Sequence, residues 1–147
     1  MASDYKSIAS KIKFEGRAFI DGKYVDAIDG EKFENINPAT GDKLCTVSKC
    51  NHKDVDLAVK VSRKAFNSGV WSRTSLEFRK DVLLKFAELL RKHGEENSVL
   101  ECIDTGKLIG DCINEVANDA PMHFQWYGEL IDKVFGKVGP TEPSITS

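Results

Sequence analysis

Residues 74–106, TSLEFRKDVLLKFAELLRKHGEENSVLECIDTG, decide the fold, because they hold the longest apolar stripe in the chain and two helix patterns that meet at Gly94. Thr74 followed three residues later by Glu77 is the pairing in which a hydroxyl and a carboxylate each satisfy an orphan amide of a starting helix. A helix is therefore expected from about Ser75. Leu76, Leu83, Phe86, Ala87 and Leu90 recur at helical spacing, Val82 and Leu89 widen the stripe, and Glu77, Lys80, Asp81, Lys85, Glu88 and Lys92 take the opposite face. Asp81 with Lys85 and Glu88 with Lys92 place the acid four residues before the base, which supports a helix by roughly 0.3 kcal/mol per pair. His93 and Gly94 are expected to close this helix, glycine taking the left-handed cap conformation without steric cost. A second helix, from Glu95 to about Thr105, turns Val99, Leu100 and Ile103 inward and stops at Gly106.

Upstream, Asn51 with Asp54 marks another helix start, and Val55, Ala58, Val59, Ser62, Ala65 and Phe66 form the stripe of a helix ending at Gly69. Trp71, in the link that follows, reads as a packing anchor rather than a binding residue. Residues 14–50 have a different texture. Ala18-Phe19-Ile20 and Tyr24-Val25 flank Asp21-Gly22, which accepts the positive φ angles of a tight hairpin, and Asp29-Gly30 repeats the signal. Lys32 to Ile36 and Lys43 to Val47 alternate polar and apolar around the turn Asn37-Pro38-Ala39-Thr40-Gly41, so one small antiparallel element of three or four strands is expected. Residues 1–13 are polar and mixed in charge, a flexible or marginally helical arm.

Downstream, Ile109 to Phe135 reads as a longer helix carrying Ile113, Val116, Phe124, Tyr127, Leu130, Ile131 and Val134. Pro121 should kink it or make it restart with Asn118 or Asp119 as cap, since proline lacks an amide and clashes with the carbonyl four residues back. Residues 137–147, with two prolines and no burial pattern, are expected to be an extended tail. The helical layer thus occupies 51–136.

Composition removes several function classes. In 147 residues, 41 % apolar content and 30 % charge describe an ordinary globular chain, and 21 bases against 23 acids leave a net charge of -2. No basic cluster exists to hold nucleic acid or a membrane surface. No apolar run approaches the ~20 residues of a membrane span, and Met1 to Lys13 lacks the apolar centre of a signal peptide, so a cytoplasmic protein is expected. Cys45, Cys50, Cys102 and Cys112 have neither zinc spacing nor a histidine that the sequence places beside them. Small, reduced, partly buried thiols are the expectation.

From Gly69 to Gly136 there is no plausible strand, and nowhere does a Gly-rich phosphate loop follow one. The fold class is mixed, mainly α with a small N-terminal antiparallel β element. Amphipathic helices with so little to cover them were selected to bury against structure outside the chain, unless they close a bundle of their own.

Several stretches carry a family likeness in their order and spacing: Phe19-Ile-Asp-Gly-Lys-Tyr-Val25, Phe33-Glu-Asn-Ile-Asn-Pro-Ala-Thr-Gly41, the Val55/Ala58/Ala65/Phe66 helix leading to Trp71, Glu101-Cys-Ile-Asp-Thr-Gly-Lys107, and Trp126-Tyr127 followed by Gly136-Lys-Val138. From about Phe19 to Pro140 the chain resembles the N-terminal portion of an NAD(P)-dependent aldehyde dehydrogenase, most like the broad-specificity and aminoaldehyde-oxidising branch. The resemblance implies part of the cofactor domain of an α/β fold, without its Rossmann parallel sheet, and from about Lys137 the start of an oligomerisation strand. It also implies an enzyme that oxidises an aldehyde to a carboxylic acid on a cysteine, with hydride transfer to NAD or NADP. In the family the nucleophilic cysteine and the general-base glutamate follow the point where this chain stops, so no catalytic or cofactor-binding residue is assigned here and the fragment alone should be inactive.

Two sites carry over from the resemblance. Main-chain carbonyls of Asn35 and Ile36 with the carboxylate of Asp104 correspond to a structural monovalent-cation site, whose hard oxygens suit such an ion. Asp104 serving only as a helix-end hydrogen-bonding group is the alternative. Asp119 and His123 fall where the family's substrate entrance lies. The partners implied are the rest of the parent chain, other subunits, or further copies by self-association. A stand-alone helical interaction or assembly module is the competing function, and coding sequence beyond Ser147 separates the two.

Overall fold

The computed structural model describes residues 4–137. In chain order its elements are α1 (Tyr5–Ala9), β1 (Ala18–Ile20), β2 (Lys23–Val25), β3 (Lys32–Ile36), β4 (Lys43–Ser48), α2 (His52–Ser68), α3 (Leu76–Lys92), α4 (Gly94–Thr105), α5 (Ile109–Cys112), a π-helical turn (Ile113–Asp119) and α6 (Ala120–Leu130). The arm therefore contains a helix, capped by the Asp4 carboxylate accepting from the Ser7 amide at 3.1 Å, and this helix rests against α4. Residues 138–147, most of the expected tail, lie outside the described residues.

The hairpin of β1 and β2 turns at Asp21 and Gly22, whose φ of 56° and 74° are the pair of positive angles that matches the strand twist. The expected single element of three or four strands is instead two separate two-stranded antiparallel sheets, β1–β2 and β3–β4. The reason lies in the link between them. The Ile28 amide donates to the Asp54 carboxylate at 2.9 Å, and Asp29 is held by Asn51 and Lys53, so this stretch is pinned to the start of α2. In the second sheet the register slips between Asn35 and Ile36, leaving Leu44 without an opposite residue.

The expected capping box at α2 is present: the Asn51 side chain accepts from the Lys53 amide and Asp54 accepts from the Asn51 amide, both at 2.9 Å, while Gly69 closes the helix at φ 75°. At α3 the start moves by one residue. Ser75, not Thr74, is the cap, its hydroxyl accepting from the Phe78 amide, because the Thr74 hydroxyl donates back to the Trp71 carbonyl at 2.7 Å. The predicted four-residue ion pairs give way to Lys85–Glu88 at 2.7 Å, a three-residue spacing that the helix surface accommodates equally well.

Gly94 is no left-handed cap. It opens α4, and a Cβ there would sit 2.8 Å from the Ala117 Cβ, so glycine is required by close approach of α4 to the π turn. Gly106 does take the left-handed cap role, at φ 76°. Pro121 stands in the first turn of α6, with Asp119 at the cap position as expected, but Asp119 keeps helical backbone and makes no side-chain cap bond: the helix widens into the π turn just before the proline, with the Ala120 amide reaching the Glu115 carbonyl. α6 ends at Leu130, short of the expected Phe135.

Helices α3 and α6 pack along their length. Ala87 is fully buried, Gly128 lets Leu83 and Leu84 approach, Phe86 meets Phe124 edge to face at 4.6 Å, and Lys80 pairs with Asp132 at 2.9 Å. Among the described residues Ala27, Ala87, Val99, Cys112 and Pro121 are buried, and Val55, Val59 and Phe66 on α2 stay exposed. No strand occurs from Gly69 to the last described residue, and among the described residues no helix is long and apolar enough to cross a membrane.

Candidate functional site

The turn after β3 and the last turn of α4 meet, which is where the sequence placed its cation site. Asn37 organises the turn: its side-chain oxygen accepts from the Ala39 amide, its own amide donates to the Asp42 carbonyl, and its carbonyl accepts from Gly41. Pro38 lies against Gly106, where a Cβ would come within 2.9 Å of the proline Cγ. The turn is thereby seated on the end of α4.

Across this junction the Asn35 side-chain amide donates to Asp104 Oδ1 at 2.5 Å, a bond between residues 69 positions apart. Asn35 and Asp104 are thus brought together, through the Asn35 side chain rather than through the main-chain carbonyls of Asn35 and Ile36. Asp104 is exposed, because α4 ends there and no described element covers it. A cleft of about 420 Å³ beside them is walled by Glu15, Arg17, Asn35, Cys45, Glu101 and Asp104. Glu15 and Arg17 form a two-pronged pair at 2.6 and 2.8 Å, which holds the Glu15 carboxyl down at about 2. The acid side of the cleft is therefore largely spoken for.

Lys107, just past Gly106, donates to Glu115 at 2.6 Å and lies 3.6 Å from Glu101; the Glu115 hydrogen bond raises its pKa. This cluster ties α4 to the π turn. Cys102 donates to the Lys107 carbonyl at 3.1 Å, and burial pushes the Cys112 thiol upward, away from the thiolate a nucleophile needs. All four cysteines are free, Cys50 exposed and Cys112 buried. No group of three or more metal-ligating side chains occurs among the described residues.

Asp119 and His123 lie one turn apart where the π turn passes into α6, both exposed. The His123 ring is held by a 2.8 Å contact from Nδ1 to the Asp119 carbonyl. They share one edge of the helix and are remote in sequence from the Asn35–Asp104 junction.

Sequence reading missed a third place. Arg79 stands three residues after Leu76 and four before Leu83, on the apolar side of α3, and that position was the available signal. Its Nε is buried and has no hydrogen-bond partner among the described residues. It lies in a groove of about 380 Å³ with Trp71, Leu83, Tyr127, Leu130, Ile131 and Val134. Trp71 packs edge to face on Phe78 at 6.4 Å, as a packing anchor should, while also forming one wall of this groove.

Comparison with known proteins places these features in a context. Residues 24–147 match the family model described as the aldehyde dehydrogenase family. The aminoacetaldehyde dehydrogenase of Pseudomonas aeruginosa is 42 % identical over 138 residues, 93 % of this chain and 28 % of that protein. Aldehyde dehydrogenase 1 of Tanacetum cinerariifolium is 51 % identical over 102 residues, 69 % of this chain and 20 % of that protein. Among solved structures, an indole-3-acetaldehyde dehydrogenase of P. syringae in complex with NAD+ superposes with a TM-score of 0.91 at 39 % identity, over 95 % of this chain and 28 % of that one. The chain therefore spans about a quarter of the length of the relatives it matches.

Proposed function

The chain belongs to the aldehyde dehydrogenase family, and from that premise we propose that it is the N-terminal part of an enzyme that oxidises an aldehyde to a carboxylic acid with NAD or NADP. The observation that carries this is the match of nearly the whole chain to about a quarter of each relative. An aminoaldehyde is the substrate class that the Pseudomonas aeruginosa relative supports. In this reading the 147 residues supply a helical layer and two hairpins, and the cysteine nucleophile and its base belong to the remainder.

The described residues do not fit a dinucleotide. Both sheets are antiparallel, and the glycines at positive φ serve hairpin turns and helix ends rather than a loop from a strand into a helix. No step of hydride transfer is therefore routed through them. Asn35, Ile36 and Asp104 are proposed to hold a monovalent cation in the complete enzyme, which the convergence of the β3 turn and the α4 end supports. Asp119 and His123 are proposed to border its substrate entrance.

The purified 147-residue chain, mixed with a simple aldehyde and NAD, should give no reduced cofactor. Turnover that survives purification and disappears on replacing one of the four cysteines would overturn the reading. The unpacked stripe on α2 equally suits a stand-alone assembly module. An intact mass of the source protein equal to that of 147 residues would favour this second reading.

A further inference from the structure

We propose that Asp21-Gly22, at the tip of the β1–β2 hairpin, is a site of backbone modification: the Gly22 nitrogen closes on the Asp21 carboxyl and the linkage reopens as isoaspartate, while the same dipeptide at Asp29-Gly30 is spared. The chemistry balances without a co-reactant. A bond forms between the Gly22 amide nitrogen and Asp21 Cγ, the nitrogen loses its proton and Cγ its hydroxyl as one water, and a five-membered succinimide results. Water then adds back at either ring carbonyl. Opening at the main-chain carbonyl of Asp21 leaves the chain running through Cγ, an isoaspartyl linkage with one extra methylene. Glycine is the residue best suited to follow the aspartate, since it has no Cβ to hinder ring closure.

Steric room does not separate the two dipeptides: beyond its chain neighbours, neither Gly22 nor Gly30 has an atom within 4 Å of where a Cβ would stand, and all four residues are exposed. Their hydrogen bonding does. Asp29 Oδ1 accepts from Lys53 Nζ at 2.8 Å and Oδ2 from Asn51 Nδ2 at 2.7 Å, so both oxygens are tied to the start of α2. Water leaves from a protonated carboxyl, and the bond from Lys53, then that from Asn51, holds Asp29 below its ordinary value. The nucleophile is occupied too, because the Gly30 amide donates to the Ala27 carbonyl at 2.8 Å. At the hairpin tip no hydrogen bond or ion pair among the described residues engages the Asp21 carboxyl, and the Gly22 amide has no backbone acceptor there. Asp21 also stands at φ 56°, a left-handed conformation uncommon for a residue with a Cβ. Turn geometry fixes hairpin register, so an added methylene at this turn acts on the pairing of Phe19 with Tyr24.

The whole chain is aged for weeks at mildly acidic pH and then cut with trypsin, which cleaves after Arg17, Lys23 and Lys32 and so puts each dipeptide in its own peptide, 18–23 and 24–32. Peptide 18–23 should split chromatographically into two forms of equal mass, the newer of which accepts one methyl group from S-adenosylmethionine through an isoaspartyl methyltransferase. Peptide 24–32 should convert at least several-fold more slowly. A parallel sample is aged in guanidinium chloride, where no fold distinguishes the two dipeptides, and there both peptides should convert at similar rates. Equal conversion of the two peptides in the folded chain overturns the proposal, as does a folded chain in which neither changes or 24–32 changes first. So does a denatured chain in which 24–32 is still spared, since local sequence rather than the bonds to Lys53, Asn51 and Ala27 would then protect Asp29.

Discussion

Helices α2 and α3 are both 17 residues long, and their sequences advertise them equally well. The better-capped of the two is α2, with a reciprocal capping box at one end and a left-handed glycine at the other, whereas α3 has a single serine hydroxyl and no left-handed stop. Burial runs the other way. Ala87 on α3 is 0 % exposed against α6, while Val55, Val59 and Phe66 on α2 are 58, 60 and 65 % exposed. Caps answer only the orphan amides and carbonyls of the helix they end. Burial of a stripe needs a second surface, and for α3 that surface comes from α6, further down the chain, through the glycine at Gly128 and the Phe86–Phe124 contact.

The sharpest way to break this comparison is to put the same charge on both stripes. Ala87→Asp buries a carboxylate with no partner and should cost about 3 kcal/mol or more, enough to unfold the chain or halve its stability. Val59→Asp should stay within about 0.5 kcal/mol, since nothing described covers that position. Urea unfolding followed by circular dichroism measures both, and equal effects would mean that α2 is covered in solution.

A smaller effect is expected where α4 meets the π turn. Gly94→Ala gains up to about 1 kcal/mol of helix propensity, but its methyl would press on Ala117 Cβ at 2.8 Å and Cα at 3.1 Å, and overpacking of this kind costs about 1–3 kcal/mol. The steric cost exceeds the gain in propensity, so net destabilisation is expected. A stabilised variant would show that the two helical segments can part.

At the start of α2 the expected effect depends on pH. Backbone amides, those of Asn51 and then Ile28, hold the Asp54 carboxyl below its ordinary value. A depressed carboxyl contributes stability that is fully present above its unfolded value near 4 and is lost as pH falls through the lower folded value. Acid titration of the unfolding midpoint should therefore show a fall below about pH 4 that Asp54→Asn flattens. An unchanged acid limb in that variant would remove Asp54 as its source.

What was legible in the sequence was local. Asp21-Gly22, Asn51 with Asp54, Gly69 and Gly106 each act within four residues, and each does in the structure what its chemistry dictates. The errors arose where a residue's role is set by something distant. Gly94 looks like a helix stop until Ala117 arrives beside it, and the two hairpins look like one sheet until Asp54 takes the Ile28 amide. Pro121 looks like a break because the π register that absorbs it has no sequence signature comparable to a cap. Of the candidate cation residues, the pairing of Asn35 with Asp104 spans 69 positions and was reached through family likeness rather than spacing. Arg79 went unnoticed because a single charge on an apolar face is ordinarily solvated by its long stem.

The smallest effect on stability, and the largest on behaviour, is expected from the α2 stripe itself. Each large apolar side chain left in water forgoes roughly 1.5–3 kcal/mol of burial, so three of them rival the stability of a whole domain. That energy is available to whatever covers the stripe, which for the isolated chain can only be another copy. The chain should therefore associate as its concentration rises and bind a hydrophobic dye. Replacing Val55, Val59 and Phe66 together by serine should weaken both while changing the unfolding free energy little, because these side chains are more than half exposed within the monomer. Ala58 and Ser62, which share the shallow face with Val59, Arg63 and Phe66, remain as an internal control for helix formation. Light scattering over a dilution series, with dye fluorescence alongside, reads the outcome. A monodisperse, dye-silent native chain would mean that α2 finds cover within the monomer, and the contrast between α2 and α3 would then dissolve.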